Sequence, residues 1–295
     1  MSQERSALDA TAIATMVLLT ALWGFQQVTI KLIVADVSLV MQAAIRSVVA
    51  TALVLLWSYF NKHNLFRRDG TLAAGVAAGL LFAFEFVFIY AGLAHTNASR
   101  MSVFVYLAPP LTALGLHFFV AGERLGALQW AGVLVAFAGL VLAFSEGFFS
   151  GMNTWVGDLC GLVAAFLWAS TTVLIRATSL ARTSATKTLF YQLAVSAVVL
   201  PIASFLLGEH GVAGVNALVI ASLAYQGVIV AFASYLAWFW LLTRYLAARL
   251  AVLSFLTPLF GMVSGVVFLS EPLSAHFAFA ALLIAAGIAL VNLRR

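Results

Sequence analysis

Charge is scarce in this chain. Only 8% of its 295 residues are Asp, Glu, Lys or Arg, against roughly 25% in soluble globular domains, and 64% are hydrophobic. That balance excludes a soluble fold and points to a bilayer. Cysteine is nearly absent: Cys160 stands alone, which rules out an internal disulfide and a cysteine-based zinc cage. Histidine is sparse and shows no metal-ligand spacing: His95, His117, His210 and His276 are isolated, and His63 sits in a basic stretch. No HExxH, GxSxG or phosphate-binding glycine loop occurs, so neither an enzyme nor a bound cofactor or metal is expected. The net charge of +5 is scattered over many short gaps, a distribution that suits membrane topology and not a nucleic-acid partner. The first apolar segment is too long for a cleavable signal, and Arg5 is the only cation before it.

What the chain does contain is apolar length. A spanning helix needs about 20 mostly apolar residues, and ten candidate spans fill the sequence, at about 10–33, 38–60, 71–94, 99–121, 127–145, 155–178, 185–207, 215–240, 248–269 and 276–293. The gaps are too short to hide a soluble module. A transmembrane barrel is excluded because stretches such as Leu159–Leu174 are apolar on almost every side instead of alternating. The expected fold is therefore an all-α membrane protein. Cations favour cytoplasmic loops, and placing both termini in the cytoplasm puts 12 of the 15 cations there, leaving Lys31, Arg46 and Arg100.

The pattern is written twice. Leu22, Trp23 and Lys31 reappear as Leu167, Trp168 and Arg176, each displaced by 145 residues, and Pro110, Glu123 and Gly139 reappear as Pro258, Glu271 and Gly287, each displaced by 148. Five spans per half is an odd number, so the second half starts from the opposite face. The duplication is expected to be an inverted repeat, residues 1–147 and 148–295. Repeats of that kind are typical of secondary transporters, which bind their substrate near mid-membrane where the halves meet.

Several side chains stand out against this apolar background. Trp57, Trp130, Trp155, Trp238 and Trp240 lie near expected span ends, where indole suits the interfacial belt. Trp23 and Trp168 lie near span centres, where an indole N–H needs a partner or a cavity. Trp23, Gln27 and Lys31 share one helix face, as do Trp168, Thr172 and Arg176. Each stripe reads either as a cavity wall or as packing by a bulky ring with snorkelling cations. Arg46 and Glu85 are ionisable groups inside spans, costly by roughly 2.5–3.5 kcal/mol each on insertion scales. Both fall roughly 4–5 Å to the outer side of their span centres. Three readings stay open for them: a structural ion pair, Arg46 as the seat of a substrate carboxylate, or Glu85 as a proton-coupling acid.

Pro110 and Pro258 interrupt spans 4 and 9 and read as hinges or as packing features, with Ser102 and Tyr106 adding a polar face before the first. Gly75 and Gly79, Gly157 and Gly161, and Gly261 and Gly265 have close-packing spacing, suited to contacts within one chain or between two. Glu123 and Glu271 fall at span ends, where a cap or loop contact is expected over a gate.

The Leu-Trp-Gly of span 1 (Leu22, Trp23, Gly24), the Leu-Ala-Pro-Pro-Leu of span 4 (Leu107–Leu111) and the proline-to-glutamate step that closes each half resemble the EamA branch of the drug and metabolite transporter superfamily over nearly the whole chain. Within it the chain looks most like the YddG-type exporters of aromatic and other neutral amino acids. It departs from the repeated pattern at Ala169 and Thr257, so the halves need not contribute equally to binding. The resemblance implies a basket of ten helices around a central cavity, with spans 1, 3, 4, 6, 8 and 9 as walls and the last helix of each half outside. It places Trp23, Gln27, Glu85, Tyr90, Tyr106, Trp168 and Tyr235 on that cavity. The expected function is a bacterial inner-membrane exporter of neutral and aromatic amino acids and similar small metabolites, working by alternating access. The alternatives are a proton-coupled multidrug or other metabolite exporter, a channel, and a membrane-embedded lipid enzyme.

Overall fold

The computed structural model describes residues 8–149, 154–270 and 276–292. Glu271, Arg5, Arg294 and Arg295 lie outside these segments. The described chain is helical throughout: α1 (Ala10–Ile33), α2 (Leu39–Phe60), α3 (Leu72–Leu93), α4 (Ala98–Val105), α5 (Ala108–Phe119), α6 (Ala127–Ala143), α7 (Trp155–Ala177), α8 (Ala185–Leu206), α9 (Ala217–Ala224), a π-helical segment (Tyr225–Ser234), α10 (Tyr235–Arg244), α11 (Ala247–Leu253), α12 (Leu256–Leu269) and α13 (Phe277–Asn292). Strand-like pairing among the described residues is confined to isolated bridges, one of them between Val37 and Val212. Among the described residues, eight segments are long and apolar enough to cross a membrane, with α4–α5, α9–α10 and α11–α12 each acting as one, and α6 and α13 are shorter apolar helices. Large apolar side chains such as Phe118, Val198, Phe205 and Leu282 point outward, as a lipid-facing surface requires.

The sequence-derived spans meet this architecture with three differences, each physical in origin. Spans 4 and 9 are broken, at Tyr106–Leu107 and Ser254–Phe255. A proline ring clashes with the carbonyl four residues earlier, and those positions for Pro110 and Pro258 are Tyr106 and Ser254. The prolines themselves sit in the first turns of α5 and α12, where an N–H has no helical acceptor anyway. Span 8 runs on to Arg244, beyond the expected end near residue 240, and carries the wide π turn, which propensity does not announce.

Glycines set the closest helix contacts. Gly75 and Gly79 of α3 lie against Tyr191 and Val195 of α8, and Gly157 and Gly161 of α7 lie against Thr96 and Phe104. These pairs therefore pack within the chain. α6 and α13 form a peripheral pair through Gly132, Gly139 and Gly287, whereas α1 packs on α12, α7 on α4 and α5, α3 on α7 and α8, and α2 on α8 and the π segment.

Loop contacts sort the helix ends onto two faces. On the basic face, the Lys187 ammonium donates to Asp69 Oδ2 at 2.8 Å and to the Arg67 carbonyl at 2.8 Å, and the Tyr245 hydroxyl donates to Asp9 Oδ2 at 2.8 Å. Hydrogen bonds from Lys187 and then Thr71 hold the Asp69 carboxyl at about 2, below its ordinary value of 3.8. A carboxyl depressed on folding stabilises fully above its ordinary value and loses that contribution only as pH falls through about 2, so this clasp is intact at physiological pH. On the opposite face, Glu209 caps α2, accepting from the backbone amides of Val40 (3.0 Å) and Met41 (3.2 Å) and from the hydroxyls of Ser38 (3.0 Å) and Ser204 (2.7 Å). Arg100 pairs there with Asp158, its Nε at 3.0 Å from Oδ1.

A Cβ added at Gly287 would lie 2.5 Å from the backbone nitrogen of Ala136 and 2.5 Å from the Gly132 carbonyl, so Gly287→Ala must push α6 and α13 apart. Overpacking of this kind costs about 1–3 kcal/mol, and a lowered unfolding temperature of the purified protein in detergent is expected. An unchanged melting curve would show that this contact is dispensable.

Candidate functional site

The helices enclose a cavity of about 640 Å³. Every residue proposed from the sequence as substrate-binding lies on its wall: Trp23, Gln27, Arg46, Glu85, Tyr90, Tyr106, Trp168 and Tyr235. Of the hinge prolines, Pro258 borders it and Pro110 does not. The walls implied by the family resemblance are all present, and α2 and α8 add Arg46 and Gln192 to them.

Aromatic rings shape the lumen. The Trp23 indole donates from Nε1 to Ser234 Oγ at 2.8 Å, which supplies the partner a central indole needs. Its ring meets Tyr235 and Trp238 edge-on, with centroids 6.2 and 5.9 Å away. On the other side Trp168 meets Tyr106 edge-on at 5.6 Å. Phe82 contacts Tyr235 at 5.9 Å, and Phe86 stacks on Tyr90 at 6.0 Å. Trp238 corrects the sequence reading: expected in the interfacial belt, it lies on the cavity because its helix continues to Arg244.

Polar groups are few. Gln26, missed by a reading that followed Gln27 along the Trp23 stripe, is buried and lines the cavity, as does Gln192. Their Nε2 atoms have no hydrogen-bond partner among the described residues, and neither has Glu85 Oε2. An amide in an otherwise apolar span was the signal available for both glutamines. Arg46 and Glu85 form no ion pair among the described residues, and the Arg46 guanidinium lies 4.3 Å over the Phe86 ring. The structural ion pair is therefore not the arrangement seen.

The cavity has a mouth and a floor. It reaches exposed residues Val34, Ala98 and Glu146 at the face opposite the basic one, and Lys31 lies on the same wall. Toward the basic face it stops near Ile175, Phe239 and Leu242. Below them Arg176 pairs with Glu123, both side chains only 2% exposed. Arg176 Nη1 also donates to the Leu242 carbonyl at 3.0 Å, and Glu123 accepts the amides of Ala247 (3.2 Å) and Ala248 (3.3 Å). One ion pair thus ties α7, the chain after α5 and the start of α11 together. Arg176 does not snorkel and does not reach the cavity. Glu123 makes the expected loop contact, here as part of a buried closure.

An apolar helical bundle around a cavity open at one face is the build of a multi-pass membrane transporter. The chain belongs to the EamA-like transporter family, whose profile matches residues 10–145 and again residues 155–293. It is 24% identical over 281 residues, 92% of this chain and 91% of the other, to an Escherichia coli protein described as a "probable amino-acid metabolite efflux pump". A Salmonella typhimurium protein with the same description is 27% identical over 92% of this chain and 91% of its own. An uncharacterized transporter of Archaeoglobus fulgidus is 28% identical over 93% and 94%. A solved crystal structure matches with a TM-score of 0.79 at 23% identity, over 96% of this chain and 98% of that one, a likeness of fold alone.

Breaking a buried ion pair from one side costs about 3–5 kcal/mol, so Glu123→Gln should loosen the floor. In a Cys160→Ser background, Ser102→Cys on the cavity wall is expected to react with an impermeant thiol reagent only from the face opposite the basic one. Adding Glu123→Gln should make it reactive from the basic face as well. One-sided labelling in both proteins would place the closure elsewhere.

Proposed function

We propose that this protein is a bacterial inner-membrane exporter that moves neutral and aromatic amino acids, and similar small metabolites, by alternating access through the central cavity. The observation that carries this reading is the cavity itself: aromatic walls, a handful of polar groups, an opening at one face and a buried ion pair shutting the other. Rings with few fixed charges suit an amphipathic solute of modest size. Sugar phosphates would demand more cations than the single buried arginine on the cavity wall. The amino-acid class draws further support from the descriptions of the Escherichia coli and Salmonella relatives.

In this reading α6 and α13 also cross the bilayer, making ten spans in two inverted five-helix repeats, residues 1–147 and 148–295. Three observations support the duplication. The same family profile matches both halves. The two helix breaks are 148 residues apart. The packing is mirrored: α1 on α12 answers α7 on α4 and α5, and α3 on α8 answers the π segment on α2. The basic face is cytoplasmic by the positive-inside rule, both termini lie there, and the state described here is open to the outside. The breaks before Pro110 and Pro258 serve as hinges where each half bends as the floor opens and the mouth closes.

Proteoliposomes loaded with labelled phenylalanine and threonine test this. Saturable efflux without a pH gradient is expected, and Trp168→Ala should slow it about tenfold, equivalent to roughly 1.4 kcal/mol of lost interaction, while leaving membrane insertion intact. No efflux of either solute would overturn the amino-acid reading. Efflux only with a pH gradient would replace facilitated export with proton coupling.

A further inference from the structure

We infer that Arg46, Glu85 and Gln26 form a subsite for a zwitterion, holding the carboxylate and the ammonium group of one small molecule at the same time. The inference rests on the exporter reading above and deepens it, by stating what the head of the substrate must carry.

Five charged side chains are buried among the described residues: Arg46, Glu85, Glu123, Arg176 and Lys187. The last three are matched, Glu123 with Arg176 and Lys187 with Asp69. Arg46 and Glu85, 2% and 6% exposed, are the exceptions, and both stand on the wall of one cavity. Leaving a buried charge uncompensated is among the most destabilising arrangements a protein can hold. No ion pair joins the two among the described residues. A molecule bound in the cavity that both line is therefore where a partner for each can come from.

The atoms on offer define the ligand. The Arg46 guanidinium is steadied from one side by the Phe86 ring at 4.3 Å, which leaves its N–H edge for a carboxylate in the two-pronged geometry arginine favours. Gln26 Nε2 is a second unused donor, buried on the same cavity wall. Glu85 Oε2 is an unused acceptor suited to an ammonium group. An ammonium group beside Glu85 favours its ionised form, and with Glu85 ionised it and Arg46 together are neutral, so a molecule of net charge zero that carries both signs leaves the site neutral and every charge matched. A simple anion leaves Glu85 without a partner, and a simple cation leaves Arg46 without one. The rings of Phe82, Tyr235 and Trp23 then accept the apolar remainder of the molecule.

Competition in the proteoliposome assay tests this with phenylalanine and two analogues that each lose one charge: N-acetylphenylalanine, which keeps the carboxylate, and phenylalanine amide, which keeps the ammonium. Against labelled phenylalanine, each analogue is expected to compete at least tenfold more weakly than unlabelled phenylalanine. Glu85→Gln should narrow the gap for the N-acetyl compound, and Arg46→Gln the gap for the amide. The double variant, which restores neutrality, should lose both discriminations while remaining folded. Equal competition by all three compounds in the unmodified protein would overturn the zwitterion subsite and leave the exporter reading standing. Absence of phenylalanine flux in the unmodified protein would overturn the amino-acid reading and this subsite with it.

Discussion

Inside a bilayer no water is available to satisfy a polar group, and the whole architecture follows from that constraint. Helices answer it for the backbone, and the exceptions are placed with care. The breaks at Tyr106–Leu107 and Ser254–Phe255 fall where a proline would otherwise collide with the previous turn, and the prolines occupy positions that need no donor. Gln42 shows the same logic for side chains: its Nε2 donates to the carbonyls of Ile30 and Val37, and its Oε1 accepts from Gln226 at 3.0 Å. Buried polar atoms without a hydrogen bond occur elsewhere too, at Ser196 Oγ and Gln226 Oε1, so what sets Gln26, Glu85 and Gln192 apart is that they border a cavity a bound molecule can fill.

The helix ends are held by different means at the two faces. At the basic face, charge is buried and paired, in Glu123–Arg176 and Lys187–Asp69, and the helix ends are drawn together. At the opposite face, the clasps involving Glu209 and Asp158 hold pairs of helices at the rim and leave the lumen between them open. The alternating access proposed for this chain needs this asymmetry in any single state, and needs it to be exchangeable. A buried ion pair suits exchange: strong in a dry closed layer, it is weakened once water enters and screens it.

Much of the fold was legible because its signals are long. Apolar runs of about 20 residues located the segments, and the 145- and 148-residue displacements are the origin of the duplication proposed above. Trp23 and Trp168 were legible as wall residues because an indole at a span centre is anomalous, and Arg46 and Glu85 because charge there is costly. What escaped had no local signature. The π turn over Tyr225–Ser234 is written in a sequence that would serve equally well as α-helix. Trp238 was misplaced because a helix end misjudged by four residues turns a cavity ring into a belt ring. Arg176 was grouped with the cavity stripe by spacing alone, although its ion pair with Glu123, 53 positions away in sequence, draws it down to the floor.

Glu123 grips the backbone amides of Ala247 and Ala248 and ignores their side chains. Two members of the closure, the acid and the arginine, are therefore fixed by their charge, while the third contributes only backbone, and burial alone, at 0% and 1% exposed, holds positions 247 and 248 to small side chains. Selection acting on this floor would hold charge at Glu123 and Arg176 and only size at positions 247 and 248. A contact of equal mechanical weight is thus written in the sequence as smallness, and its meaning is legible only in three dimensions.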